Sequence, residues 1–177
     1  MTVLVPVSWG ELLDKITILE IKAERIADPA KLRNVRAELD ALTRVRDEGL
    51  ARAGVQAGAL ADGEAGARTD AEPDAPDGTG SGAPEGTGTG APATPDLPSR
   101  VADLVAGLRR VNETLWDTED AIRACEARQD FGPTFIALAR RVYVTNDDRA
   151  AKKRELNELL GSELVEEKSY EAYGVGR

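Results

Sequence analysis

Histidine is absent from the 177 residues, and cysteine occurs once, at Cys125. The first absence removes Ser/His/Asp triads, Cys/His pairs and His-containing metal sites together. The second rules out an internal disulfide and leaves a thiol with no imidazole to activate it. Aromatic residues make up only 4% of the chain. With the apolar residues mostly Leu, Val, Ile and Ala, that scarcity favours helices packed on helices over a sandwich or barrel. No apolar run approaches the roughly 18 to 20 residues of a membrane span, and the opening "MTVLVPVSWGELL" has no basic stretch followed by an apolar one, as a secretory leader would. The expectation is an all-α cytoplasmic protein, without membrane contact, whose chemistry is limited to carboxylates, Lys, Tyr, Ser/Thr or a bound metal.

A net charge of −9 argues against a nucleic-acid binder, which needs a basic face for phosphate contacts. Much of that charge is local. Residues 49–98 hold Asp62, Glu64, Asp70, Glu72, Asp74, Asp77, Glu85 and Asp96 against Arg52 and Arg68, which leaves the rest of the chain close to balance. The same stretch carries most of the glycines and six of the nine prolines, in runs such as "GTGSGAPEGTGTGAP". It reads as a disordered linker inserted at a hairpin tip. A G-x-G-x-x-A pattern can be forced onto Gly86, Gly88 and Ala91, but no strand precedes it and no helix opens on it, so it carries no nucleotide site.

Helix punctuation is clear at several points. "SWGE" at residues 8–11 is a capping box, with Ser8 as the cap and Val7 and Leu12 as the flanking staple, behind an extended arm "TVLVPV". Asp28 and Pro29 start a second helix from Pro29 to about Glu48, with Gly49 past its end. Its stripe is Leu32, Val35, Leu39 and Leu42. Ser99 reads as the cap of a long third helix of about 45 Å, whose seam Val101, Leu104, Leu108, Val111, Leu115, Thr118, Ile122 and Cys125 repeats in alternating threes and fours. "DFGP" breaks it. Pro133 starts "PTFIALARRVYV", and Thr145 or Asn146 caps a further helix, "DDRAAKKRELNELL", that Gly161 stops. Val142–Val144 has an alternative reading as a short strand against the arm. The tail offers Leu164, Val165 and Tyr170 for docking. The architecture expected is an antiparallel bundle of four to five helices, with residues 1–48 and 99–177 packed as one domain.

The stretches "VPVSWGELLDKITILEIKAERI", "KLRNVRAEL", "VNETLWDTEDAIR" and "FGPTFIALARRVYVTNDDRAAKKRELNELLGSELVEEKSY" together resemble a small bacterial helical family, a domain of unknown function. The resemblance covers the chain outside residues 49–98 and implies no particular activity, cofactor or site.

Three constellations carry chemical interest. On a wheel of 100° per residue the first helix has one stripe of Leu12, Ile16, Leu19, Ala23 and Ile26, with Ile18 and Ile21 roughly opposite. A helix apolar on two sides needs two neighbours, one of which can be a second copy, so Ile18, Ile21 and Trp116 are interface candidates. Glu20 and Glu24 on this helix, with Glu119 and Glu126 beside the seam, form a possible acidic cluster that would either pair with basic residues or hold Mg²⁺. The spacing departs from that of the all-α nucleoside triphosphate pyrophosphohydrolases, which use E-E-x-x-E followed by E-x-x-D; here it is Glu20-x-x-x-Glu24 and Asp117-x-x-Asp120. The row Glu113, Asp117 and Asp120 reads as a solvated face, and Asn112 as a seam residue fixing register. Finally, Asn146, Arg149, Lys152 and Arg140 surround an expected helix start, where free amides favour an anion. Lys168, Tyr170 and Tyr173 read as a docking tail, and Cys125 as core.

Two functional readings follow. The leading one is a helical interaction or assembly module, self-associating or bound to a protein partner. The alternative is a protein or enzyme acting on an anionic, phosphorylated metabolite or nucleotide sugar. No cofactor is called for by the sequence.

Overall fold

The computed structural model describes residues 3–53, 96–167 and 169. Over these the chain is all-α: α1 (Trp9–Arg25), α2 (Pro29–Arg52), α3 (Leu97–Ala127) and α4 (Pro133–Leu159), with no strand among the described residues. The expected linker, residues 54–95 in large part, lies outside them. α3 and α4 form the more extensive hairpin; α1 packs on α2, α3 and α4, whereas α2 touches α1 alone. α1 is therefore the central helix, which accounts for apolar residues on two of its sides.

Ser8 caps α1 by accepting from the Glu11 amide. The Glu11 carboxylate goes to Lys153 of α4. The next orphan amides of the first turn are met from the far end of the chain: Trp9 N–H donates to Ser162 Oγ at 2.9 Å, and Gly10 N–H to Asn157 Oδ1 at 2.6 Å. Asp28 caps α2 through the Ala30 and Lys31 amides, with Pro29 in the first turn. α2 does not stop at Gly49. It runs on to Arg52, because Leu50 is fully buried and the Trp9 indole lies over residue 49, where a Cβ would sit 2.6 Å from the ring. Gly49 serves a close approach, not a helix end.

α3 begins three residues earlier than a cap at Ser99 would place it, with Asp96 as the cap, accepting from the Ser99 amide. Its seam is as expected: Val101, Leu108, Leu115, Thr118 and Cys125 are buried, and Leu104, Val111 and Ile122 half-buried. Leu13, Val101, Leu108 and Leu156 make the core where α1, α3 and α4 meet, with Trp9, Leu104, Val105, Leu159 and Leu160 against them.

Two further expectations are corrected on α4. It is one continuous helix, so there is neither a helix start at Thr145 or Asn146 nor a strand at Val142–Val144. No Gly or Pro interrupts residues 134–159, Thr145 is buried, and Asn146 donates to the Val142 carbonyl at 3.0 Å; a cap-forming residue that bonds back one turn is carried as helix interior. Gly161, at φ +63°, ends it as expected. In the tail Leu164 and Val165 are exposed, and it is Glu166 that docks, on Lys153. Lys168, Tyr170 and Tyr173 lie outside the described residues. The arm is without helix or strand, with Val3, Leu4, Val5 and Val7 exposed.

Candidate functional site

Asp14 stands four and seven residues before Ile18 and Ile21, at the head of the second apolar stripe of α1, and it is 2% exposed. Arg149 of α4 meets it bidentately, Nε to Oδ1 at 2.9 Å and Nη2 to Oδ2 at 2.6 Å. Asn112 of α3 donates from Nδ2 to Asp14 Oδ1 and to Thr17 Oγ1, both at 2.9 Å, while Thr17 Oγ1 donates to the Asp14 carbonyl. Arg149 Nη1 reaches Asn146 Oδ1 at 3.4 Å. Three helices are thus tied by one polar network, and no buried side-chain nitrogen or oxygen among the described residues lacks a partner. The bonds from Asp14 hold the Arg149 guanidinium above its ordinary pKa against the opposing effect of burial. Its charge is permanent.

Above this network lies a cleft of about 320 Å³ between α1, α3 and α4. Ile18, Ile21, Leu115 and Trp116 give it apolar walls; Asn112, Asn146 and Arg149 supply its polar floor; Glu119, Asp120 and Arg123 complete its lining. A guanidinium has five N–H groups, and Arg149 spends three on Asp14 and Asn146. One N–H on each terminal nitrogen remains. Trp116 is held from outside by Arg25, whose guanidinium lies 5.7 Å from the ring centroid and also pairs with Asp117.

The residues singled out in the sequence separate on this frame. Asn146 and Arg149 share the cleft, but not at a helix start, so the free amides expected there do not exist. Lys152 lines a different groove, formed by α3 and α4 residues alone with Arg110, Arg141 and Asp148. Arg140 is exposed and lines neither. Ile21 is 2% exposed and Ile18 half-buried, so they are cleft wall and core, not a free second face.

Glu20 and Glu24 have a basic partner. Arg109 bonds Glu24 at 2.6 Å, Glu113 at 3.1 Å and Glu20 at 3.3 Å. Glu119 pairs with Arg123 on its own helix, Glu126 is exposed, and among the described residues no group of three or more acids or cysteines is placed to hold a metal ion. Asp117, read as solvated, pairs with Arg25. Cys125 is a buried free thiol.

Burial raises the Glu20 carboxyl above its usual value, even though Arg109 pulls it down. The folded state therefore holds the Glu20 proton more tightly than the unfolded chain. Its contribution is fully present below about pH 4.5 and is lost as pH rises through the folded pKa. Glu20→Gln is accordingly expected to match or slightly exceed the parent at pH 7 and to fall behind it near pH 4, by urea unfolding at the two pH values. A variant clearly weaker at pH 7 would show that the Arg109 pair outweighs desolvation.

One feature escaped the sequence reading: Asp14, which could have been found from its spacing to Ile18 and Ile21. The basic run that includes Lys153 also reads as pairing with acidic helix faces or the tail's "VEE", and Lys153 is buried and bonded to both Glu11 and Glu166. Burial pulls its ammonium down, and the two carboxylates more than offset that, leaving it raised.

No protein-family model matches the chain, and neither a curated protein nor a solved structure is found to be similar to it.

Proposed function

We propose that the protein binds a small amphipathic ligand in the cleft between α1, α3 and α4, an apolar body carrying a single carboxylate. One observation carries the reading: Arg149, fixed by a buried carboxylate and with two N–H groups unspent, lines an apolar-walled cleft. A guanidinium held in this way is organised before a ligand arrives, so little ordering cost is left for binding. A volume of about 320 Å³ is at the small end of ligand pockets.

Charge narrows the class. Asp14 compensates Arg149, Glu119 compensates Arg123, and Asp120 adds one negative charge. Such a site disfavours a doubly charged phosphate and suits a single carboxylate taking up the N–H groups that Arg149 has left. Ile18, Ile21 and Trp116, which the assembly reading would place against a partner, become the apolar wall of the ligand site.

The test is a calorimetric and thermal-shift panel of monocarboxylates with apolar bodies of graded size, set against phosphomonoesters and the matching neutral amides. A carboxylate at 100 times its Kd should stabilise the fold by about 2.7 kcal/mol. Arg149→Lys keeps a cation opposite Asp14 but removes the second donor edge, and should lose binding while staying folded. Phosphomonoesters stabilising where carboxylates do not, or no response across the panel, would sink the proposal.

A further inference from the structure

α1 ends at Arg25, beside Asp117 and Trp116 of α3. α3 continues for ten residues to Ala127, and α4 returns from Pro133. At 1.5 Å per residue the α3–α4 hairpin overhangs α1 by about 15 Å. The sequence of the overhang is still that of a core-facing element. Phe135, Ile136, Leu138 and Val142 lie on α4, yet no residue of positions 133–144 is buried, and in the turn Phe131 is 48% exposed, stacked edge-on against Phe135 at 5.3 Å. Ile136 is 56% exposed. Contiguous apolar surface of this kind marks a contact site.

We infer that the overhang is a homodimer interface, in which the α3–α4 tips of two copies pack against each other about a two-fold axis. Charge selects a second copy as the occupant. Residues 118–127 of α3 carry Glu119, Asp120 and Glu126 against Arg123, a net −2, whereas residues 133–144 of α4 carry Arg140 and Arg141 and no acid, a net +2. Among the described residues Glu126, Arg140 and Arg141 make no close ion pair within the chain, and Asp120 acts only at longer range, on an Arg25 already paired with Asp117. A two-fold axis placed so that the α4 segment of each copy faces the α3 segment of the other brings opposite signs together twice, and each copy then supplies the missing helices over the other's apolar end. The apolar residues 3–7 do not reach the overhang. The arm leaves α1 at Ser8, the far end of a helix about 26 Å long, and residues 3–7 reach at most about 17 Å.

The test is sedimentation equilibrium of the full chain between about 5 and 200 μM. A dimer is expected. Ile136→Asp should weaken it at least tenfold with the helical circular dichroism unchanged, since Ile136 is exposed within one copy. Arg140→Glu with Arg141→Glu should weaken it as well, and adding Asp120→Lys with Glu126→Lys in the same chain should restore it. A monomer at every concentration overturns the inference. So does a dimer indifferent to Ile136→Asp and to the charge reversal, or one lost on Leu4→Asp instead, which would assign the contact to the arm.

Discussion

Arg149→Met is expected to lower the free energy of unfolding by about 3–5 kcal/mol, the cost of leaving a buried charge without its partner. Asp14 is 2% exposed and takes two of its bonds from Arg149, so the variant strands a carboxylate that water cannot reach. The reverse truncation is expected to cost less. In Asp14→Asn the guanidinium keeps contact with solvent, its side chain being 29% exposed, and the new amide still accepts from Asn112. Combining the two should recover most of the loss, because no unpaired charge is then buried. Urea unfolding of the four proteins completes the cycle. A near-additive pair would mean that the interaction is weak and that the cleft floor is set by packing alone.

Gly10→Ala is expected to destabilise by about 2–3 kcal/mol, although alanine favours helix over glycine. α1 crosses α4 at this residue so closely that a Cβ would lie 2.5 Å from the Lys153 carbonyl oxygen and 3.0 Å from both its carbon and Asn157 Oδ1. Neither neighbour can easily give way. The Lys153 ammonium is held between Glu11 and Glu166, and Asn157 Oδ1 accepts from the Gly10 amide itself. Moving α1 outward would also loosen the Asp14–Arg149 pair one turn on, so the variant is expected to lose cooperativity along with stability. Thermal unfolding followed by circular dichroism checks it; an unchanged midpoint would place the helix crossing elsewhere.

The parts of the fold legible in the sequence were those decided within one turn of chain. Ser8 and Glu11 mark the start of α1, Asp28 and Pro29 that of α2, and Gly161 the end of α4, because caps and left-handed turns depend on neighbours in sequence. The α3 seam was legible because its period repeats over seven half-steps. What was not legible depended on distant partners. Gly49 looks like a helix end unless Trp9 is known to lie over it. Asn146 looks like a cap unless α4 is known to continue past it. The place of Asp14 on the Ile18–Ile21 stripe is local, but its partners lie 98 and 135 positions away. The candidate site was therefore present in the sequence only as fragments: Ile18 and Ile21 as a second apolar face, Trp116 as an indole off the seam, Asn146 and Arg149 as part of a basic run. Packing brings these fragments into one cleft, and it separates Lys152 and Arg140 from them.

The network beneath the cleft is better understood as orientation than as stability. A buried ion pair gains little over well-packed apolar residues, but it fixes one arrangement among many. Here Asn112 and Asp14 set the plane and position of the guanidinium, and hence where its open edge points. Trp116 sits in the wall of the same cleft, and the other tryptophan, Trp9, packs against the core remote from it. In a Trp9→Phe protein the fluorescence of Trp116 therefore reports the cleft alone. A saturable change in its emission is expected with an apolar monocarboxylate, absent with the matching amide and absent in Trp9→Phe combined with Arg149→Lys. A folded Trp9→Phe protein whose emission stays constant with every carboxylate of the panel, up to millimolar concentration, would contradict carboxylate binding in the cleft.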